Sequence, residues 1–235
     1  MLTDDHLKTI MPQMPAERRT RFLPAINQTL QVYSINTPRR AAAFLGQVAH
    51  ESGQFRYMEE LWGPTAQQKR YEPPTDLARQ LGNVQPGDGL RYRGRGPIQV
   101  TGRANYQRYG KLLQLDLVAQ PDLAATPAVG LSIAGLYWSS LGLNALAEKL
   151  DDREITRRIN GGFNGLAERV ALSERARAVL CLADFSVAPR SRGATRTESL
   201  EGYARPVRIP RLPLPRGHVG ESIQGQGASL EASAL

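Results

Sequence analysis

The chain has 235 residues, 41% of them hydrophobic, and a formal net charge of +8. That supplies enough apolar material for one large domain or two small ones, and a balance this basic points to nucleic acid, an anionic membrane face or an acidic cell-wall polymer. A single cysteine, Cys181, excludes an internal disulfide framework, and the opening MLTDDHLKTIMPQMP lacks an apolar core of signal length, so cytoplasmic synthesis is expected.

Thr3-Asp4-Asp5 caps a short helix that runs to about Ile10, and Pro12 and Pro15 break it. A second helix is predicted over 16–33, with Phe22, Leu23, Ile26 and Leu30 at helical spacing. Thr37 and Pro38 start a third, as N-cap and first helical residue. Arg39 and Arg40 come next in its first turn, where cations gain nothing from the helix dipole, which suggests a partner. In this helix Phe44, Val48 and Glu51 share one face. An ionisable group on a stripe meant for burial is half exposed, paired with an arginine, or functional.

Gly53 interrupts that helix, and Gly63-Pro64 ends the segment after it. Residues 65–89 read as polar loop with one helical turn near 76–81. Ile98 and Val100 alternate with Gln99 and Thr101, as on a short strand with one polar face. Helices are expected over 104–113, 128–141 and 167–185, with one or two more over 146–159. The uncharged run 123–147 is long enough to span a membrane, but its threonine, serines, asparagine, glycines and proline read as a buried helix, with Trp138 in the core. Residues 190–235 hold seven arginines, four acids and one aromatic, and read as a disordered basic tail. The remaining body is basic in its own right.

Three chemistries lose support. His50-Glu51 lacks the second histidine of a zinc helix, because Gln54 stands in its place. Cys181 has no histidine nearby, and no GxSxG elbow occurs. No metal or cofactor is implied. Carboxylates remain: Glu51, Glu59, Glu60 and Glu72. Glycoside hydrolysis needs two of them on opposite sides of a sugar. On one straight helix Glu51 and Glu60 would sit ~13 Å apart and point away from each other. They share a cleft only where the helix ends between them, and Gly53 supplies such a break. Arg93 and Arg95 fit a bracing role, paired with carboxylates, better than substrate contact.

The run AFLGQVAHESGQF, then RYRGRGPIQVTGRANY, then Tyr137-Trp138, then RRINGGFNG resembles family 19 glycoside hydrolases, over roughly 37–180. The short connection between Glu60 and Arg91 looks more like the phage and prophage endolysin branch. The resemblance implies a mainly α, lysozyme-like bilobal fold with a small β-hairpin region lining a cleft. It implies a catalytic domain over 1–188 and a tail over 189–235. It makes Glu51 the general acid and Glu60 the general base, with Glu59 and Glu72 as fallbacks, and gives Thr101 the attacking water. Gln99, Asn105 and Asn160 match sugar-binding positions, and Tyr92 would line the cleft. On its apolar face Glu51 would stay protonated, as an acid must. The implied enzyme is an inverting, monomeric glycosidase that cuts β-1,4 bonds of peptidoglycan after release to the wall. Chitin is the alternative polymer. A non-catalytic basic module is the alternative of another class; no specific nucleic-acid partner is expected, because the tail lacks aromatics between its arginines.

Overall fold

The computed structural model describes residues 1–182; the expected tail lies outside them. Local sequence signals set the first helices. Thr3 Oγ accepts from the His6 amide at 3.2 Å and caps α1 (Asp4–Ile10). Helix α2 covers Ala16–Val32. Thr37 caps α3 (Pro38–Glu51) by accepting from the Arg40 amide, and Pro38 supplies its first turn.

The segment read as loop with one helical turn near 76–81 carries that turn as α5 (Asp76–Leu81), together with two short helices that were not expected, α4 (Ala66–Lys69) before it and α6 (Asp88–Arg91) after it. Thr65 and Thr75 cap α4 and α5 with their hydroxyls. A threonine in a polar run caps a helix as readily as it sits in a loop, a distinction that composition does not make. Helix α7 (Arg103–Leu113) and a 3-10 turn (Pro121–Ala125) lead into α8 (Pro127–Ser140). The last three are α9 (Leu143–Glu148), α10 (Asp152–Asn160) and α11 (Leu166–Leu182). The uncharged run is thus split among separate short elements. Among the described residues no helix is long and apolar enough to cross a membrane.

The largest pairing lays α11 along α3. Small residues permit it: Ala41, Ala42, Ala43 and Ala49 are buried on α3, and a Cβ on Gly46 would lie 2.2 Å from Ser173 Oγ of α11. Helix α8, buried on all sides from Val129 to Trp138, packs on α2. Trp138 is core, edge-on to Phe44 at 5.4 Å between ring centroids, with its indole N–H donated to Asn144. Burying a side chain such as Phe44 contributes about 1.5–3 kcal/mol over leaving it exposed. A satellite cluster of Tyr71, Leu77 and Leu81, with Trp62 against it, supports the α4–α5 region. Arg39 and Arg40 do find a partner, within the chain. Arg40 pairs with Glu148 at 2.7 Å, and Arg39 donates to the Glu148 carbonyl at 2.8 Å, near the C-terminus of α9.

The strand expected at 98–101, and with it the β-hairpin region, is absent among the described residues. Only isolated bridges, Glu59 with Arg95 and Arg95 with Val100, join this region. Gln99 adopts φ 51°, outside any strand conformation. Arg95 and Val100 exchange backbone hydrogen bonds around a tight turn. Its polar residues do not form a wet face. Gln99 and Thr101 are as buried as Ile98 and Val100, and both spend hydrogen bonds on nearby carbonyls.

Candidate active site

Glu51 is the last residue of α3. Three successive residues then take left-handed backbone: Gly53 (φ 55°), Gln54 (φ 58°) and Phe55 (φ 62°). Two of these are not glycine, and each costs about 1–2 kcal/mol. Surrounding contacts hold them there. Phe55 is fully buried, its amide donates to Ser52 Oγ at 2.8 Å, and Gln54 Oε1 accepts from the Gln13 amide at 2.9 Å. The break anticipated at Gly53 is therefore a three-residue corner.

The corner delivers Glu60 to the 93–96 turn. The Glu60 amide donates to the Gly94 carbonyl at 2.8 Å, and the Gly94 amide returns a bond to Glu60 Oε2 at 3.0 Å. Gln68 Nε2 donates to Glu60 Oε1 at 3.0 Å. The carboxylate is thus gripped by two neutral donors.

Glu51 has a different setting. Its side chain is 11% exposed and meets the Arg169 guanidinium, itself 3% exposed, at 2.5 Å. Beside it a narrow apolar crevice of only about 10 Å³ is lined by Phe44, Val48, Ile98, Tyr137, Trp138 and Ile159. An arginine partner was one reading of a carboxylate on this stripe, and it is what the fold provides. Arg169 also donates to Gln47 Oε1 at 2.6 Å and to the Asn164 carbonyl at 3.3 Å. His50, next in the chain, contacts Glu168 Oε2 at 2.9 Å. Burial, together with Arg169, pushes its imidazole below the usual range against the opposing pull of Glu51 and Glu168. The ring packs flush on Gly165, where a Cβ would come within 2.3 Å of it.

The turn at 98–101 links these settings. Ile98 lines the crevice beside Glu51. Gln99 lies against Gly94, whose missing Cβ would sit 2.8 Å from Gln99 Oε1 and 3.4 Å from Glu60 Cβ. Thr101 Oγ donates to the Gln99 carbonyl at 2.9 Å, and Asn105 Nδ2 donates to the Thr101 carbonyl at 2.8 Å. Asn160 belongs to the Glu51 side: it ends α10 and contacts the carbonyl of Asn164, the group Arg169 also holds. Tyr92 stands apart. It is buried, its hydroxyl donates to the Val118 carbonyl, and it lines a separate cleft of about 600 Å³ with Arg91, Arg103 and Asp116.

The other carboxylates have structural partners. Glu59 binds Arg93 at 2.5 Å and Arg95 at 2.9 Å, the bracing role expected of those arginines. Glu72 accepts from the Gly87 and Leu90 amides around the start of α6. Sequence reading missed Arg169, Gln47 and Gln68. A signal for Arg169 existed: it shares an α11 face with Leu172, Ala176 and Leu180, all buried. It is a lone charge on an apolar stripe, of opposite sign to Glu51.

A mainly helical domain that sets one buried and one loop-held carboxylate beside a turn rich in amides has the makings of a glycoside hydrolase. The comparisons agree. The family 19 model, described as chitinase class I, matches residues 23–144. A Haemophilus influenzae protein with a family 19 glycosyl hydrolase domain is 36% identical over 171 residues, 63% of this chain and 84% of that protein. An endochitinase of Arabidopsis thaliana is 36% identical over 145 residues, 61% of this chain but 47% of its own length, so the chain spans about half of that plant relative. Chitinase C from Streptomyces griseus superposes with a TM-score of 0.60 over 80% of this chain and 78% of that one, at 24% identity, a likeness of fold. The chain belongs to glycoside hydrolase family 19.

Proposed function

We propose that this protein hydrolyses β-1,4 bonds between amino sugars of bacterial peptidoglycan, with inversion at the anomeric carbon. The observation that carries the pair is the contrast between Glu51, held by Arg169 beside an apolar crevice, and Glu60, held by neutral donors on a polar loop. Glu51 gives its proton to the glycosidic oxygen as the bond to C1 breaks. Water attacks C1 from the opposite face and passes a proton to Glu60. The face expected to keep Glu51 neutral by its apolar character carries a guanidinium instead: Glu51 must take up a proton before it can act as the acid, and the carboxylate it leaves meets a counter-charge already in place. Inversion requires about 6.5–9.5 Å between the carboxyls to admit the water. Thr101 Oγ–H is spent on the Gln99 carbonyl, which leaves its lone pairs to accept from that water. Gln99 gives its amide protons to the Tyr57 and Gly96 carbonyls and so offers its Oε1 as an acceptor, while Asn105 and Asn160 each donate once within the chain and keep neutral amide character suited to N-acetyl groups and sugar hydroxyls.

The +8 charge favours peptidoglycan, whose sheath carries anionic polymers. Chitin is the second reading, favoured by the plant endochitinases among the relatives. Residues 1–188 form the catalytic domain in this reading. A zymogram on purified peptidoglycan and on chitin, with Glu51→Gln beside the wild type, is the test. Clearing of the wall by wild type alone supports the proposal. Equal clearing by both proteins rejects the glycosidase site, and clearing of chitin alone transfers the assignment to chitin. Mass analysis of released muropeptides identifies the bond cut.

A further inference from the structure

A chain of buried side chains runs from α10 to the proposed acid. Thr156 Oγ donates to the Asp152 carbonyl at 2.8 Å. Gln47 Nε2 donates to Thr156 Oγ at 3.2 Å, and Gln47 Oε1 accepts from Arg169 at 2.6 Å. Arg169 then reaches Glu51. Gln47 and Thr156 are fully or almost fully buried, so water does not supply alternatives. We infer that Gln47 and Thr156 are positioning residues that set the direction of Arg169 toward Glu51, and through it the aim of the proton-donating carboxyl.

The directions in this chain admit one arrangement. The Thr156 proton goes to the backbone carbonyl, so its oxygen accepts from the glutamine amide. The glutamine oxygen therefore faces Arg169. A flipped amide would set its NH₂ against a guanidinium that can only donate, and leave a buried donor without an acceptor. The guanidinium is planar with a fixed fork, so fixing one nitrogen on Gln47 and Nε on the Asn164 carbonyl orients the nitrogen that meets Glu51. The relay ties α3, α10 and α11 to one side-chain direction. It rests on Glu51 as the acid, as proposed above.

The test compares Thr156→Val, Thr156→Ser and Gln47→Met on a soluble β-1,4 oligomer of N-acetylglucosamine and on solubilised peptidoglycan. Melting curves report the folded fraction, and Glu51→Gln runs in parallel. Thr156→Val keeps the shape and removes the acceptor. It should lower kcat per folded molecule by about tenfold to a hundredfold, the cost of a misaimed group, with KM within about twofold. Gln47→Met, which leaves α10 untouched, should do the same, and serine at 156 should restore kcat. Wild-type kcat in folded Thr156→Val and Gln47→Met beside an inactive Glu51→Gln overturns the inference alone, as does a lower melting temperature with kcat per folded molecule intact. Full activity in Glu51→Gln overturns the reading of the site itself.

Discussion

Replacing Arg169 with methionine should destabilise this domain strongly. Arg169 is 3% exposed and bonds to three partners, Glu51, Gln47 and the Asn164 carbonyl. Methionine fills much of the space but donates nothing. The Glu51 carboxylate, 11% exposed, would be left without its counter-charge. Breaking a buried ion pair from one side costs about 3–5 kcal/mol, and that figure already includes much of the orphaning of neighbouring acceptors. Set against a total stability of about 5–15 kcal/mol, the loss is large. Urea unfolding at neutral pH measures it, with tryptophan fluorescence as the probe, since Trp138 is buried beside Phe44. Glu51→Gln and the double variant complete a cycle. Coupling of about 1–3 kcal/mol between the two sites is expected, because they touch. A loss below about 1 kcal/mol for Arg169→Met, the range of exposed pairs, would show that the pair is solvated and that the picture of a buried acid is wrong.

Four other outcomes are expected. Glu60→Gln should abolish hydrolysis while the fold survives, whereas Glu59→Gln should keep activity and lose about 1–3 kcal/mol, because the buried Arg95 keeps its bonds to the Arg91 carbonyl and the Tyr106 hydroxyl but is left with the exposed Asp122 for counter-charge; activity and urea midpoints measured together separate the two. Thr101→Val should lower kcat by about tenfold or more, and Thr101→Ser should not, if the hydroxyl aims the water; steady-state kinetics decides. Burial raises Asp88, but hydrogen bonds from Arg103 and from the Gln85 and Val84 amides outweigh it and hold the carboxyl below its ordinary range. A depressed acid contributes stability that is complete above the unfolded value, about 3.9, and is lost as pH falls through the folded value, so the gap in urea midpoint between wild type and Asp88→Asn should close as pH falls below about 4. Removing residues 190–235 should leave hydrolysis of isolated wall unchanged, and a drop confined to intact cells would assign the basic segment to envelope contact.

Much of the helical framework was legible because its signals are local. Thr3, Thr37 and Pro38 mark helix starts through their own backbone neighbours, and apolar spacing marks which faces are buried. Legibility failed where the same residue type serves two purposes. Thr65 and Thr75 read as loop residues and are caps. Gln99 and Thr101 read as the wet face of a strand, yet they are buried and satisfied by carbonyls that no periodicity rule can see. Glu59, Glu60 and Glu72 were interchangeable as letters. Their hydrogen-bond partners, which for Glu59 and Glu60 include residues more than thirty positions away, are what distinguish them.

The sequence by itself determined the helical class, the family motifs, the break after Glu51 and the anomaly of an acid on an apolar stripe. Each of these comes from neighbours within a turn or two, or from a pattern of residues in fixed order. Only the tertiary structure decided what that acid meets. Arg169 is 118 positions away in the chain, and the two stripes carry opposite charges that become one ion pair only when α11 packs along α3. A buried charge announces in sequence that it needs a partner. Which partner answers is settled by packing, because desolvation makes an unpaired charge too costly and only the folded chain brings the counter-charge within reach.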